Sequence, residues 1–498
     1  MSMQAASARP SAVSRALARD RLGMLAVGAF ILAGVAPLTV SAGLIPTAYG
    51  VTGLTGIPAA FIGVAVILAV FATGYMAMSR NIVNAGAFYA FISQGLGRAA
   101  GVAAALVALG AYSCLQIALY GMLGPAATSQ AAAHLGVHAA WWVWALGAWA
   151  VVAVLGLLRV DITGKVLGTL TAIEIAVILA ETATGLAHPA AGHLSFTTLS
   201  PSALTSSGFG TVGVLAVIAV LGYSGFEQAP VLAEEAKHPR RTIPVTTYLA
   251  LGVIGVVYAG SAWAMAAHAG SGHVVAAANA QGPALMFDLG GSALSQAAQW
   301  LFLTSLFAAA LAFHNAVWRY AFALGREGVL PGALGRTGSN NIPKAASLAQ
   351  SLTGLAVIGA FALAGWPPQT GLFFGGGTTG GFGILILLAV TSVAVIAFFA
   401  RNPRGESAWS RLIAPALATI LLTGLAVLAV MHYDTLLGVP PGAAAGWALP
   451  VSYAVLAAAG LARALVIKIR RPGVYDAIGL GAHAASFQAA QAGFGARR

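Results

Sequence analysis

Charged residues are scarce in this chain of 498 residues: Asp, Glu, Lys and Arg make up 7% of it, against 59% for hydrophobic residues. A soluble protein of this length could not stay dispersed with such a surface. The composition therefore excludes a soluble protein and indicates that the lipid bilayer is its solvent. Cys114 is the single cysteine, so an intramolecular disulfide is excluded and a cysteine-based metal site is not expected.

Positive charge is absent from every second gap between the long apolar runs. All 24 Lys and Arg residues lie in the N-terminal segment and in the alternate gaps. Loops rich in Lys and Arg stay in the cytoplasm, so the asymmetry predicts a multi-pass protein of the cell membrane with both termini cytoplasmic. The net charge of +12 then reflects topology signals facing anionic lipid, and no nucleic-acid partner is expected. The alanine- and glycine-rich composition is typical of a bacterial source.

Twelve apolar segments are long enough to cross the bilayer, which takes about 20 residues. Because backbone groups in lipid must be paired within their own segment, we expect an all-α polytopic membrane protein with twelve transmembrane helices. The predicted spans, numbered in chain order, are 22–48, 57–78, 101–128, 140–158, 166–187, 209–236, 245–268, 294–325, 345–365, 371–400, 412–432 and 449–467. The predicted cytoplasmic tails are the N-tail 1–21 and the C-tail 468–498. The N-tail and the part of the C-tail after Arg471 are predicted to lack regular structure.

Spans 1 and 6 carry helix-breaking residues within their apolar runs. Pro37 and Pro46 fall in span 1, and Gly225 and Pro230 fall in span 6. Proline removes a helical hydrogen bond and glycine weakens a helix. Because the two spans are five apart, they hold corresponding positions in two inverted repeats of five helices, a pattern that indicates a transporter site at mid-membrane. The predicted units are a first repeat 22–187, a second repeat 209–400 and two peripheral helices 412–467.

Broken helices suit a zwitterionic ligand. The N-terminus of a half-helix exposes unpaired N–H groups, which favour a carboxylate, and unwound carbonyls favour an ammonium group or a cation. An amino acid uses both features at once. The alternative is a pair of ordinary kinks, since Pro and Gly are common in membrane helices.

Three motifs follow one another along the chain. The first is NAGAFY at 84–89. The second is GYSGFE at 222–227, continued by EEAKHPRRTIP at 234–244. The third is NAVWRY at 315–320, followed by GREGVLP at 325–331. Together they resemble signatures of amino acid permeases of the amino acid–polyamine–organocation superfamily, and they cover spans 2 to 9.

The resemblance implies a LeuT-type fold, with two inverted five-helix repeats around an amino acid held between the breaks of helices 1 and 6. It implies a secondary active transporter, not an enzyme, that works by alternating access without a cofactor. Helix 1 departs from the family pattern, because many relatives have a G-x-G stretch where this chain has APLTVSAG at 36–43. The expected substrate contacts are Pro37, Leu38, Thr39, Val40, Ser41, Tyr223, Ser224, Gly225, Phe226 and Glu227.

Two acidic residues within the spans are candidates for proton coupling. Glu174 lies nine residues beyond Lys165, about 13 Å along a helix and therefore near mid-membrane. A carboxylate there costs at least about 2.5 kcal/mol on insertion scales, which favours a functional role. In proton-coupled relatives a lysine of helix 5 replaces a sodium ion, and span 5 has no lysine, so Glu174 is predicted to titrate. The alternative is a protonated glutamic acid that packs by hydrogen bonding across helices.

Glu227 is the second candidate, because it borders the predicted site. Its alternative role is to cap or pack the break of span 6. Glu181, nearer the outer end of span 5, is expected to be structural or interfacial. At the cytoplasmic end of span 6, Glu234 and Glu235 are predicted to form a gate of ion pairs with Arg240 and Arg241, the alternative being a solvated helix end.

The coupling ion and the substrate remain open at this stage. We expect H+ rather than Na+, because Thr304 and Ser305 of span 8, which could join a sodium site, are also typical of helix packing. Obligate exchange is a third alternative. The small number of cavity charges favours neutral or hydrophobic amino acids over a polyamine or another organic amine, which would require more acidic residues.

Overall fold

The computed structural model describes residues 22–158, 160–204, 209–338 and 342–481. The predicted N-tail and the end of the predicted C-tail lie outside these ranges. Within the described ranges, eleven helices are long and apolar enough to cross a membrane. They keep the predicted numbering: span 1 (Met24–Thr52), span 2 (Ile57–Asn81), span 3 (Arg98–Leu135), span 5 (Lys165–Ala187), span 6 (Thr211–Leu232), span 7 (Pro239–Ala269), span 8 (Ala293–Arg326), span 9 (Lys344–Ala364), span 10 (Pro368–Arg401), span 11 (Trp409–Met431) and span 12 (Ala444–Arg470).

The fourth predicted span is a shorter helix than expected. It covers Trp141–Leu155, 15 residues, where 140–158 was predicted. At 1.5 Å per residue this helix is about 22 Å long, less than the roughly 30 Å of a hydrocarbon core. It nevertheless packs against spans 3 and 9 like the other members of the bundle. The all-α polytopic fold predicted from the sequence is confirmed.

Span 1 is interrupted near its middle. Its first part, Met24–Val35, ends because Ala36 adopts left-handed backbone with φ 53°. Pro37 follows and has no N–H with which to continue the helical hydrogen bonding. The chain then resumes in three pieces, a short helix Pro37–Thr39, a wider π-helical turn Val40–Leu44 and a last helix Ile45–Thr52. The two helical halves therefore meet at Ala36 and Pro37.

Span 6 is interrupted at Gly225, as the sequence predicted. An α-helix ends at Tyr223, and a tighter 3-10 helix runs over Phe226–Leu232. Gly225 has φ 121°, a conformation that favours glycine. A Cβ atom placed there would lie 2.6 Å from the carbonyl carbon of Gly34. The backbones of the two breaks are thus in direct contact.

The segment after span 12 packs against one end of the bundle, beside the end of span 8. Residues 472–481, expected to lack regular structure, form a short helix Pro472–Ala477 and then a turn. The backbone N–H groups of Gly479 and Gly481 donate to the two carboxyl oxygens of Glu327, at 2.5 and 2.9 Å. Composition suggested disorder, but the buried Glu327 at the end of span 8 gives this segment specific hydrogen-bond partners.

Candidate functional site

A central cavity of about 80 Å³ lies between the two breaks and spans 3, 8 and 10. The polar side chains among its lining residues are Thr39, Ser224 and Thr378, and none of the lining residues is charged. The other lining residues are Gly34, Val35, Ala36, Val40, Leu44, Leu115, Ala118, Leu119, Leu221, Ala309, Phe313, Phe373, Phe374 and Gly377. The cavity therefore combines backbone from both breaks with an apolar wall of aliphatic and aromatic side chains.

Three of the ten predicted contact residues, Thr39, Val40 and Ser224, line this cavity. The other seven do not, and several have partners elsewhere. The Tyr223 hydroxyl donates to the Phe61 carbonyl oxygen at 2.9 Å. The Ser41 and Ser261 hydroxyls pair at 3.3 Å. The breaks were located correctly from the sequence, but which side of each break faces the cavity depends on helix rotation.

The aromatic residues Phe313, Phe373 and Phe374 are cavity residues that sequence reasoning missed. They come from spans 8 and 10. Their motif signal is weak, since phenylalanine is common in apolar helices. Only the approach of span 10 to the breaks brings Phe373 and Phe374 to the cavity.

Glu227 holds the break of span 6 in place and is fully buried. Its Oε1 accepts a hydrogen bond from the Tyr112 hydroxyl at 2.9 Å, and its Oε2 accepts one from the Gly225 N–H at 2.8 Å. The Tyr75 hydroxyl donates to its backbone carbonyl oxygen at 3.0 Å. One residue thus links the break to spans 2 and 3. Its carboxyl group is not among the groups that line the cavity.

Glu174 of span 5 lies beside the break of span 1. It is 1% exposed. The groups close enough to stabilise its charge are the backbone N–H of Leu38 and the hydroxyl of Ser305. Ser305 in turn accepts hydrogen bonds from the N–H and the hydroxyl of Thr39, at 3.2 and 3.1 Å. Spans 1, 5 and 8 therefore converge on a polar cluster directly behind the cavity residue Thr39.

The ion pairs at the end of span 6 differ from those predicted. Glu235 pairs with Arg319 at 2.6 Å, and Glu234 pairs with Arg326 through two hydrogen bonds of 2.7 and 2.8 Å. The partners are residues of span 8, whereas the sequence pointed to Arg240 and Arg241, which are exposed at the start of span 7. That prediction paired residues close in sequence. The turn at the end of span 6 instead directs both acids into the bundle.

Arg319 is a member of this cluster, although its charge was expected mainly to serve as a topology signal. It is 0% exposed, and its Nη1 donates to the Asn315 carbonyl oxygen at 2.9 Å. Its guanidinium group also stacks 4.2 Å from the centre of the Trp318 ring. The signal available in the sequence was the spacing of seven between Arg319 and Arg326, which places both on one helical face.

The start of span 1 closes the same region. The Leu22 N–H donates to the Glu235 carbonyl oxygen at 3.0 Å, and the Lys237 N–H donates to the Leu22 carbonyl oxygen at 2.9 Å. The start of span 1 and the ends of spans 6 and 8 are therefore held together by hydrogen bonds and ion pairs.

A bundle of apolar helices with two interrupted members around a buried cavity defines a membrane-embedded transporter for a small molecule. The profile of the amino acid permease family matches residues 26–473, and the chain belongs to this family. It is therefore a transporter of the amino acid–polyamine–organocation superfamily and not an enzyme.

Among solved structures, crystal structures of three mutants of the manganese transporter of Eremococcus coleocola share the fold. The TM-score is 0.57 in each case, with sequence identities of 15%, 15% and 13%. The matches cover 90% of this chain and 95% of the other. No curated protein matches the sequence.

Proposed function

We propose that this permease is a proton-coupled symporter of neutral or hydrophobic amino acids, working by alternating access with residues 22–187 and 209–400 as its inverted repeats and both termini in the cytoplasm. The observation that carries the proposal is the apolar cavity between the two breaks, with a buried carboxyl group at the back of span 1. A charged substrate side chain would find no counter-charge among the lining residues.

The substrate's two ends are matched by different parts of the cavity. Backbone groups at the breaks, together with Thr39 and Ser224, offer hydrogen bonds to the ammonium and carboxylate groups. The apolar side chain lies toward Phe313, Phe373 and Phe374. Burial of an apolar group contributes roughly 25 cal/mol for each Å² removed from water, so a larger apolar side chain that fits binds more tightly.

We assign the coupling of proton movement to substrate transport to Glu174. In its charged form this carboxylate is stabilised by the Leu38 N–H and the Ser305 hydroxyl, and so connects spans 1, 5 and 8. Protonation removes the charge and weakens that connection, because charge-assisted hydrogen bonds are about twice as strong as neutral ones. The part of span 1 that begins at Pro37 is then free to move relative to span 8. Glu227 holds the break of span 6 through Tyr112 while this happens.

The test is uptake of labelled amino acids into proteoliposomes with and without an inward proton gradient. One unit of pH is worth about 1.4 kcal/mol, so a one-to-one symporter accumulates its substrate up to about tenfold for each unit. Glu174→Gln is expected to abolish accumulation while exchange across the membrane persists. Asp434→Asn, a half-buried acid between spans 11 and 12, serves as the control and keeps wild-type accumulation.

Other outcomes would redirect the assignment. Exchange without accumulation in the wild-type protein would make it an antiporter. Transport of polyamines, or of other organic amines, in place of amino acids would overturn the substrate class. Gradient-driven accumulation that survives in Glu174→Gln would remove Glu174 from coupling.

A further inference from the structure

One face of span 5 carries a line of buried polar side chains, each with at least one oxygen atom that lacks a hydrogen-bond partner. Thr171, Glu174 and Glu181 are 2%, 1% and 0% exposed, and their spacing of three and seven residues places them on one side of the helix. Within the described ranges, no partner is found for Thr171 Oγ1, Glu174 Oε1 or either carboxyl oxygen of Glu181. Buried polar groups in proteins are normally hydrogen-bonded, and buried water commonly satisfies those that lack a protein partner.

The inner end of this line reaches a groove. Thr171 is among the residues that line a groove of about 1120 Å³ between spans 1, 5 and 7. Lys165 and Met24 line the same groove, and both lie at the cytoplasmic ends of their spans in the predicted topology. Thr171 therefore lies between this groove and the buried carboxyl group of Glu174.

The outer end lies under the connection that precedes span 8. Gly290 and Asp288 are the residues beside the Glu181 carboxyl group, and Asp288 is exposed. A Cβ atom on Gly290 would come 2.5 Å from Glu181 Oε2, so glycine leaves the carboxyl group room. Glu181 is therefore buried, and the exposed residue Asp288 lies close enough to influence its charge.

We infer that Glu181 is the outer station of a proton path, which exchanges protons between the extracellular solution and Glu174 over water molecules held along this face of span 5. The inference rests on the proposed role of Glu174. A proton from outside binds the Glu181 carboxylate. It then passes to an adjoining water as that water, or the next in line, gives a proton to the Glu174 carboxylate. One proton enters and one arrives: Glu181 and each water end with the protons they had before, and the Glu174 carboxyl ends protonated.

Distance makes water necessary for this path. The two glutamates are seven residues apart, about 10 Å along the helix, and a hydrogen bond between oxygens spans only about 2.5–3.0 Å. Ile178, 0% exposed, lies between them on the same face. An apolar side chain at that point interrupts the path when water is absent, which limits proton leakage without substrate.

The ionisable groups that face the two carboxyls do not provide an alternative path. Asp288 faces Glu181 and is itself at the surface. Tyr258 of span 7 faces Glu174, and its hydroxyl already donates to the Val35 carbonyl oxygen at 3.0 Å. Among the described residues, Glu181 is thus the acid on span 5 through which Glu174 can be loaded from outside.

The experiment compares Glu181→Gln, Glu181→Asp, Glu174→Gln and the control Asp434→Asn in proteoliposomes. Uptake is measured while external and lumenal pH are varied separately, and exchange is measured at equal pH on both sides. For Glu181→Gln we expect proton-driven uptake to slow at least about tenfold, because a positioned proton-transferring group is removed. Its dependence on external pH should flatten, while its lumenal pH dependence and its exchange rate stay at the wild-type values. Glu181→Asp should be intermediate.

The outcomes separate this inference from the proposed function. Wild-type uptake and a wild-type external pH profile in Glu181→Gln would overturn the relay, even if Glu174→Gln is uncoupled. Intact coupling in Glu174→Gln would overturn the assignment of coupling, whatever Glu181→Gln does. Equal slowing of uptake and exchange in Glu181→Gln would show a structural role and also overturn the relay. If Glu181→Gln does not fold, the external pH profile of Glu181→Asp decides: a shifted profile supports the relay and a wild-type profile refutes it.

Discussion

The buried pair between Glu235 and Arg319 gives a prediction with a defined magnitude. Its two side chains are 2% and 0% exposed, and Arg319 Nε lies 2.6 Å from Glu235 Oε1. Removing one charge from such a pair leaves the other uncompensated in a dry environment, which costs about 3–5 kcal/mol. We therefore expect Glu235→Gln and Arg319→Met each to lower the free energy of unfolding by that amount.

Replacing both charges should behave differently. The double variant Glu235→Leu/Arg319→Met has no buried charge left, and exchanges of this type are often neutral or stabilising by about 1–4 kcal/mol. A large part of the single-variant loss should therefore be recovered. The Arg98–Asp476 pair is the matched control, because its side chains are 40% and 44% exposed and its nitrogen–oxygen distance is 3.1 Å. Breaking it should change stability by less than about 1 kcal/mol.

The assay is unfolding of the purified protein in mixed micelles, followed as the SDS fraction increases. All variants are compared with the wild type under the same lipid and salt conditions. Single variants at the Glu235–Arg319 pair that stay within about 1 kcal/mol of the wild type would refute the reasoning, since that is the range of solvated surface pairs. A double variant less stable than either single variant would refute it as well.

Two further predictions concern the break of span 6. Gly225→Ala should abolish transport, because the added Cβ would lie 2.6 Å from span 1 backbone at a φ of 121°; Gly424→Ala, with open space around it, should transport normally. Normal uptake by Gly225→Ala would show that the breaks are not in contact. Tyr112→Phe should lower stability by about 1–3 kcal/mol, because it leaves a buried Glu227 oxygen without its donor. The control Tyr248→Phe, whose side chain is exposed, should change stability little, and equal losses in both would contradict this role of Glu227.

Local signals in the sequence predicted the helices and the position of both breaks. Apolar length is a property of each segment alone. Eleven of the twelve predicted helices are long enough to cross a membrane in the structure. Pro37 and Gly225 interrupt their helices through their own backbone chemistry, whatever surrounds them. The resemblance in three motifs then led to the family that the full-length match confirms.

Partners across the bundle were not predictable in the same way. Glu234 and Glu235 were paired with Arg240 and Arg241, which are near in sequence, but the structure pairs them with Arg326 and Arg319 of span 8. The acids follow a turn whose direction depends on how span 6 packs. The helix C-terminal to them begins at the surface, where its arginines point away.

For the candidate site, the sequence by itself determined that an acid lies near the middle of span 5 and that spans 1 and 6 carry helix-breaking residues. Only the tertiary structure decided that Glu174 reaches Leu38 and Ser305, and that Thr39, Val40 and Ser224 face the cavity. The physical reason is that the apolar composition of a helix and its helix-breaking residues are features of its own local sequence. The rotation of each helix, and therefore which side chains meet, is fixed by the packing of all the helices together.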